Sequence, residues 1–406
     1  MNSYEEINKK LKQLNIKEIT LEELKKISFS EKKSIEEIIQ NIIFSLKDLE
    51  YTKTEISKII QNHNYVEFPN SMTISNYGKE GELNLKYLCS DNLDKISNVD
   101  IKDLALVTGF GPTNSPTAGT LSMIFRIIEM QKKTGIFTNI IISDLGAFNS
   151  RQKPLEELIK RGKQFKKFII KLGFDSANGI IRTHNDYDHA RIFALASSVL
   201  TVNDFINHDE ATADMYKRLN LQGNDFSTMV DQTFTVADII LPIIRYGKKG
   251  VIVSAGIEEH YYPQLSNIVL GRLKKKQGKI GNLIPQDAFV SSVYGKLING
   301  LFPYVKMSKS IPQSAINIGD SEEEIKEKIM NCSDRNEEVI LQMIELASNW
   351  NLEDIKKAEL AFKNRKKHKN IWRNTKKKYC DFLLEIKQIW DECEEDIGDL
   401  KEEIFF

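Results

Sequence analysis

From about residue 100 the chain alternates short apolar runs with helical segments, and this rhythm constrains the fold more than any other feature. Asp103-Leu-Ala-Leu-Val107, Ile136 to Asp144, Gly179-Ile-Ile-Arg182 and Gly250-Val-Ile-Val-Ser254 are bounded by glycine or polar breakers. Stretches of helical periodicity separate them. Strands joined through helices cannot be hairpin neighbours; they run parallel, with helices covering both faces of the sheet. The expectation is an α/β catalytic domain over residues 96–320, built on a doubly wound parallel sheet.

The flanks read differently. Residues 1–95 place Leu and Ile at helical spacing among Glu and Lys, with breakers gathered near Pro69-Asn70-Ser71, and predict an N-terminal helical appendage whose role is not legible. After Ser321 the glycines almost vanish, which predicts a C-terminal helical domain over 321–406. Lys and Arg total 57 against 57 Asp and Glu, so a protein that coats nucleic acid by bulk charge is excluded and any such contact needs a local patch. Cys89, Cys332, Cys380 and Cys393 are scattered without a CxxC pair, as expected of reduced thiols. No apolar run approaches the roughly 20 residues that cross a bilayer, and the first residues are polar, so a cytoplasmic protein without membrane contact is expected. His184 and His189 have no partners at ligand spacing; they read as ordinary polar residues, and no protein-held metal is expected.

Two segments carry chemistry. Thr108-Gly-Phe-Gly-Pro-Thr-Asn-Ser-Pro-Thr-Ala-Gly-Thr120 lies between the first core strand and a helix. Its glycines let backbone approach a phosphate or ribose, and the helix start offers N–H groups and a positive dipole end. A tight strand-to-helix turn would use the same residues. The second segment is Lys306-Met307-Ser308-Lys309-Ser310, just before Pro312. Two ammonium groups three positions apart can bracket a polyphosphate and stabilise charge on departing pyrophosphate, and the serines add donors.

With these two segments in place, the chain resembles the class I aminoacyl-tRNA synthetases, and among them the tryptophanyl/tyrosyl subgroup. Thr108-Gly-Phe-Gly-Pro-Thr113 is similar to the TGxGPS stretch of the archaeal and eukaryotic tryptophanyl enzymes, and Thr117-Ala-Gly-Thr120 falls on the HIGH tetrad. The run from Lys306 through Ile316, followed by Asp320 to Met330, is similar to the KMSKS region and the helix after it in the same enzymes. The resemblance covers roughly residues 100–390. It implies a Rossmann-like fold, a homodimer, and ATP with Mg²⁺ carried on the phosphates. It places ATP against Gly109, Gly111, Thr113, Thr117, Gly119, Thr120, Met307, Ser308 and Ser310, with Lys306 and Lys309 as the catalytic cations.

Departures from the family pattern are informative. Both histidines of the tetrad are replaced, by Thr117 and Thr120, though a hydroxyl at Thr120 still donates. The family's G-x-D-Q element stands here as Gly256-Ile-Glu-Glu259; the resemblance assigns Gly256 and Glu258 to the ATP ribose, and Glu259 to the α-ammonium of the amino acid. Phe234 and Asp238 fall on the helix that reads the side chain, where Asp238 accepts from an indole N–H or a phenol O–H. Val107 replaces a tyrosine and offers no second polar partner, so an indole is the expected ring.

Residues 363–378 hold nine Lys and Arg and no acid, with Phe362, Trp372 and Tyr379 interleaved or flanking. Cations for phosphates and aromatics for splayed bases make Lys363, Arg365, Lys366, Trp372 and Arg373 candidate tRNA contacts. A solvated helix face paired with the acidic tail Asp391 to Glu403 is the other reading. Lys163, Lys166, Lys167 and Lys171 form a second candidate surface. The sequence thus reads as an ATP-dependent ligase that activates an aromatic amino acid, tryptophan first, and charges tRNA. Two alternatives stand beside it: a paralogue that adenylates an amino acid for a biosynthetic acceptor, and a degenerate sensor of amino acid or tRNA.

Overall fold

The computed structural model describes residues 2–13, 18–151, 153–184, 187–206, 226–276, 281, 284–304, 307 and 311–395. Six strands form one sheet: β1 (Tyr87–Ser90), β2 (Leu104–Phe110), β3 (Phe137–Ile142), β4 (Gly179–Thr183), β5 (Gly250–Ala255) and β6 (Phe289–Gly295). Their order is β1-β6-β5-β2-β3-β4. The five strands from β6 to β4 are parallel, and β1 is an antiparallel edge on β6. The expected doubly wound α/β core is therefore present, with one strand of opposite direction added.

The strands are near-continuous apolar runs because helices cover both faces. All residues of β5 and β6 are buried. On one face the helix Phe226–Tyr246 packs Val236, Ile240 and Ile243 into a core shared with Val251, Val269 and Leu273. By length and composition this helix is apolar enough to cross a membrane, which corrects the expectation that no such segment exists. Its burial against the sheet accounts for its apolarity, and it carries Asp231 and Asp238.

Each successive parallel strand from β2 to β4 adds on one side of β2, whereas β5 adds on the other. Val107 of β2 registers with both Asn139 of β3 and Val253 of β5. Connections that leave β2 and β5 in opposite directions open a crevice beyond the carboxyl ends of those two strands, the place where open α/β sheets bind ligands.

The chain divides into two compact units that cut across the three consecutive domains expected from the sequence. One comprises residues 59–115, 123–296 and 388–406 and holds the sheet; the other comprises 1–58, 116–122 and 297–387. The appendage expected over 1–95 is therefore not one body, since residues 59–95 go with the sheet and supply β1. In the second unit, the helices Asn2–Gln13, Leu21–Glu31 and Ile35–Asn62 bury Ile7, Leu11, Leu24, Ile38 and Ile42 around Tyr304 and Ile311. The Tyr304 hydroxyl donates to the Glu31 carboxylate at 3.0 Å. Ser321 and Glu324 form a capping box that starts the helix Glu322–Met330.

Candidate functional site

The crevice between β2 and β5 holds a cavity of about 160 Å³. Its apolar wall comes from strand and helix positions that face one another, including Val107, Ile141, Ile239, Val253 and Tyr262. Three carboxylates line it as well: Asp231, Asp238 and Glu259. No lysine or arginine lines it among the described residues. An apolar cavity with several acids and no base favours an occupant that is apolar over most of its surface and carries a cation.

Local sequence explains the arrangement. Asp231, Thr235 and Asp238 follow one another at helical spacing on the helix Phe226–Tyr246, so all three project from one face into the cavity. Glu259 ends the short 3-10 turn Ile257–Glu259 directly after β5. Gly109 and Gly111 lie on the cavity wall where β2 ends. A Cβ on Gly111 would sit 3.1 Å from the Ala147 Cβ, so glycine there lets the loop close over the helix Asp144–Arg151. The Thr108 hydroxyl donates to the Ser254 carbonyl at 2.7 Å, tying β2 to β5 at the mouth.

Asp238 is 6 % exposed. Its Oδ2 lies 2.8 Å from Nε2 of His184, the residue after β4. His184 is held from several sides. Its backbone N–H donates to Asp144 Oδ1 at 3.0 Å, its Nδ1 accepts from the Gly146 N–H at 3.2 Å, and its ring stacks on Phe234 with centroids 4.6 Å apart. Gly146 makes this convergence possible, because a Cβ there would fall 2.2 Å from Ser143 Oγ and 2.3 Å from Asp231 Oδ1. Burial raises the Asp144 carboxyl above its ordinary pKa. Burial works to lower that of His184, but the neighbouring Asp238, Asp144 and Asp231 outweigh it and raise the imidazole overall.

Sequence-predicted residues divide among several places. Val107, Asp238 and Glu259 lie together on the cavity wall. Phe234 does not; its ring is spent on His184 and Phe193. Glu258 turns away from the cavity and folds over Gly256, where an added Cβ would meet its Oε2 at 2.4 Å. In the other unit, Thr117 Oγ1 accepts from the Thr120 N–H at 3.4 Å at the start of the helix Ala118–Thr134, and its strand-like backbone pairs with Asn317. Thr117 thereby works as a helix cap, while Gly119 is exposed and Thr120 half-buried. Thr113 is half-buried and Met307 likewise. Lys306, Ser308, Lys309 and Ser310 lie outside the described residues.

The basic stretch needs correction. Trp372 is 2 % exposed and packs on Phe362 with ring centroids 5.3 Å apart, so it is core and not a platform for a base. Arg365 is also engaged: its Nε lies 3.0 Å from Glu337 Oε2 and its guanidinium sits over the Phe362 ring. Lys363, Lys366 and Arg373 are exposed, as are Lys367, Lys369, Lys377 and Lys378. Of the acidic tail, Glu392 pairs with Lys171 at 3.1 Å and Glu394 with Lys160 at 3.8 Å, and residues 396–403 lie outside the described residues. Sequence reasoning missed Asp231, Thr235, Ser143 and Gly146, and read His184 as an ordinary polar residue. The helical spacing of Asp231 from Asp238 was the available signal.

The family described as tRNA synthetases class I (W and Y) matches residues 263–395. A tryptophan–tRNA ligase of Methanocaldococcus jannaschii is 27 % identical over 237 residues, covering 57 % of this chain and 59 % of that protein. A tyrosine–tRNA ligase of Picrophilus torridus is 23 % identical over 226 residues, covering 55 % of this chain and 65 % of that one. The chain thus spans about three-fifths of the length of these curated relatives. Among solved structures, a tryptophanyl-tRNA synthetase from Encephalitozoon cuniculi bound to tryptophan superposes with a TM-score of 0.62 at 19 % identity, covering 85 % of this chain and 97 % of that one. In sequence this chain resembles the tryptophan and tyrosine class I synthetases, and it has their fold.

Proposed function

We propose that this chain, as a protein of the tryptophanyl/tyrosyl class I synthetase type, is an ATP-dependent ligase that activates an aromatic amino acid, tryptophan first, and transfers it to tRNA. The observation that carries the reading is the acid-lined apolar cavity at the point where the sheet's winding reverses. An aromatic amino acid has the complementary chemistry: a ring for the apolar wall, an ammonium for the carboxylates and one ring donor for Asp238.

In this reading Glu259 and Asp231 hold the α-ammonium, and Asp238 accepts from the indole N–H. The substrate carboxylate attacks the α-phosphorus of ATP; the new bond forms there as the bond to the bridging oxygen breaks, and pyrophosphate leaves. Lys306 and Lys309 stabilise the charge that grows on the leaving pyrophosphate. Among the described residues no group of three or more His, Cys, Asp and Glu side chains is placed to hold a metal ion. Mg²⁺ in this reading is bound by the ATP phosphates and supplies charge neutralisation there. The ribose falls to Glu258, whose Oε2 is buried without a hydrogen-bond partner among the described residues. The exposed Lys363, Lys366 and Arg373 face tRNA phosphates. A cytoplasmic homodimer completes the reading.

Exchange of labelled pyrophosphate into ATP with each of the twenty amino acids, followed by aminoacylation of total tRNA, tests it. Exchange is expected to be fastest with tryptophan. Absence of exchange with every amino acid would refute the ligase; exchange without any charged tRNA would favour a paralogue that serves another acceptor.

A further inference from the structure

We propose that His184 is a positioning residue that fixes Asp238 as an obligate hydrogen-bond acceptor, so that the site selects an aromatic amino acid whose ring carries an N–H or O–H. The inference rests on the adenylation reading above. It begins from a directional chain of hydrogen bonds. The backbone N–H of Gly146 can only donate, and it points at His184 Nδ1 from 3.2 Å. Ser143 Oγ approaches the same nitrogen at 3.4 Å. Nδ1 therefore carries the lone pair and the ring proton resides on Nε2, which faces Asp238 Oδ2 at 2.8 Å. A backbone amide thus dictates the tautomer, and the tautomer dictates that Asp238 receives a proton donor and offers none.

The ring has no latitude to reverse this. Its side chain is 0 % exposed, Phe234 stacks on its face, and Asp144 anchors its backbone N–H. His184 does not line the cavity, whereas Asp238 and Ser143 do; of these two it is Asp238 that faces the protonated ring nitrogen and so passes the histidine's influence to the ring of a ligand. Among the described residues, the charged groups that act most on the imidazole are Asp238 and Asp231 from the helix Phe226–Tyr246 and Asp144 from the helix Asp144–Arg151. Together they raise its pKa against burial. Proton uptake at Nδ1 sets one N–H against the N–H of Gly146 and breaks that bond. The imidazolium keeps its Nε2–H toward Asp238, so Asp238 still receives a donor and ring selection is retained across the raised pKa.

The test uses the full chain and the tryptophan analogue in which sulfur replaces the ring nitrogen. The ratio of kcat/KM for tryptophan to that for the analogue is measured by pyrophosphate exchange between pH 6 and 9. For wild type the ratio should stay high across this range, because Nε2–H is present in both protonation states of the imidazole. H184F keeps the stacking but removes the donor and should lower the ratio at pH 9 on the order of tenfold, chiefly through KM for tryptophan. H184Q presents an N–H near the position of Nε2 and should restore the ratio. A ratio in H184F equal to that of wild type overturns the proposal. Imidazole nitrogen NMR of the wild-type protein at pH 9 reads the tautomer without any turnover: a protonated Nε2 and bare Nδ1 on His184 are expected, and the reverse overturns it. Wild type inactive with every aromatic amino acid but showing the expected tautomer would instead sink the adenylation reading and the substrate class inferred with it.

Discussion

Asp238→Asn isolates what the carboxylate contributes at the ring end of the cavity. The change is close to isosteric, so packing of the helix Phe226–Tyr246 is retained. The one carbonyl oxygen of Asn accepts from His184 Nε2, now 2.8 Å from Oδ2, and the amide NH₂ then occupies the other position. An indole N–H arriving at that position meets a donor. At 6 % exposure little water is available to rescue either group. Loss of one hydrogen bond to a charged acceptor is worth about 1.5–3 kcal/mol, which lowers kcat/KM for tryptophan by roughly 10- to 100-fold. The sulfur analogue has no ring donor and should lose less than about threefold. Pyrophosphate exchange at several concentrations of each amino acid measures both values. A parallel fall for tryptophan and analogue would refute the reasoning, because it would show general damage in place of a lost acceptor.

Other consequences follow from the same chemistry. Lys309→Ala should slow single-turnover adenylate formation about a hundredfold while equilibrium binding of the amino acid changes little, since the charge matters where pyrophosphate forms; equal adenylation rates would exclude that role. Replacing Lys363, Lys366 and Arg373 by Ala should weaken tRNA binding and reduce the magnitude of its salt slope by roughly one for each phosphate no longer neutralised, with pyrophosphate exchange intact; an unchanged slope would leave these cations as solvated surface. Trp372→Ala removes a buried ring packed on Phe362 and should cost about 3–5 kcal/mol, read as a fall in Tm; tRNA affinity that drops without a fall in Tm would return the tryptophan to the binding surface.

What the sequence made legible was what is written locally. Strand runs bounded by glycine and helices of the right length imply a parallel sheet because each signal is complete within a few residues. β1 escaped because Tyr87–Ser90 is a four-residue antiparallel edge embedded in a stretch that otherwise reads as helical. Trp372 was misassigned because the cations around it dominate the composition. The helical stripe of Trp372, Tyr379, Leu383, Ile386 and Trp390, all buried, is the stronger physical signal and marks a core face.

The site shows the same division more sharply. Asp238 was visible as a lone acid on an apolar helix, because burying a carboxylate is costly unless something compensates it. The compensating group was not visible, since His184 stands 54 residues earlier at the end of a different strand. Only the strand order, with β3 and β4 on one side of β2 and β5 on the other, sets the residue after β4 beside the helix that leads into β5. A polar network that spans elements is specified by topology, and the tautomer within it by a single backbone amide at Gly146. A Cβ there would fall 2.2 Å from Ser143 Oγ and 2.3 Å from Asp231 Oδ1, so any side chain at 146 would displace both, and the glycine leaves the acid cluster in place while its backbone N–H sets the direction of the hydrogen bond to His184.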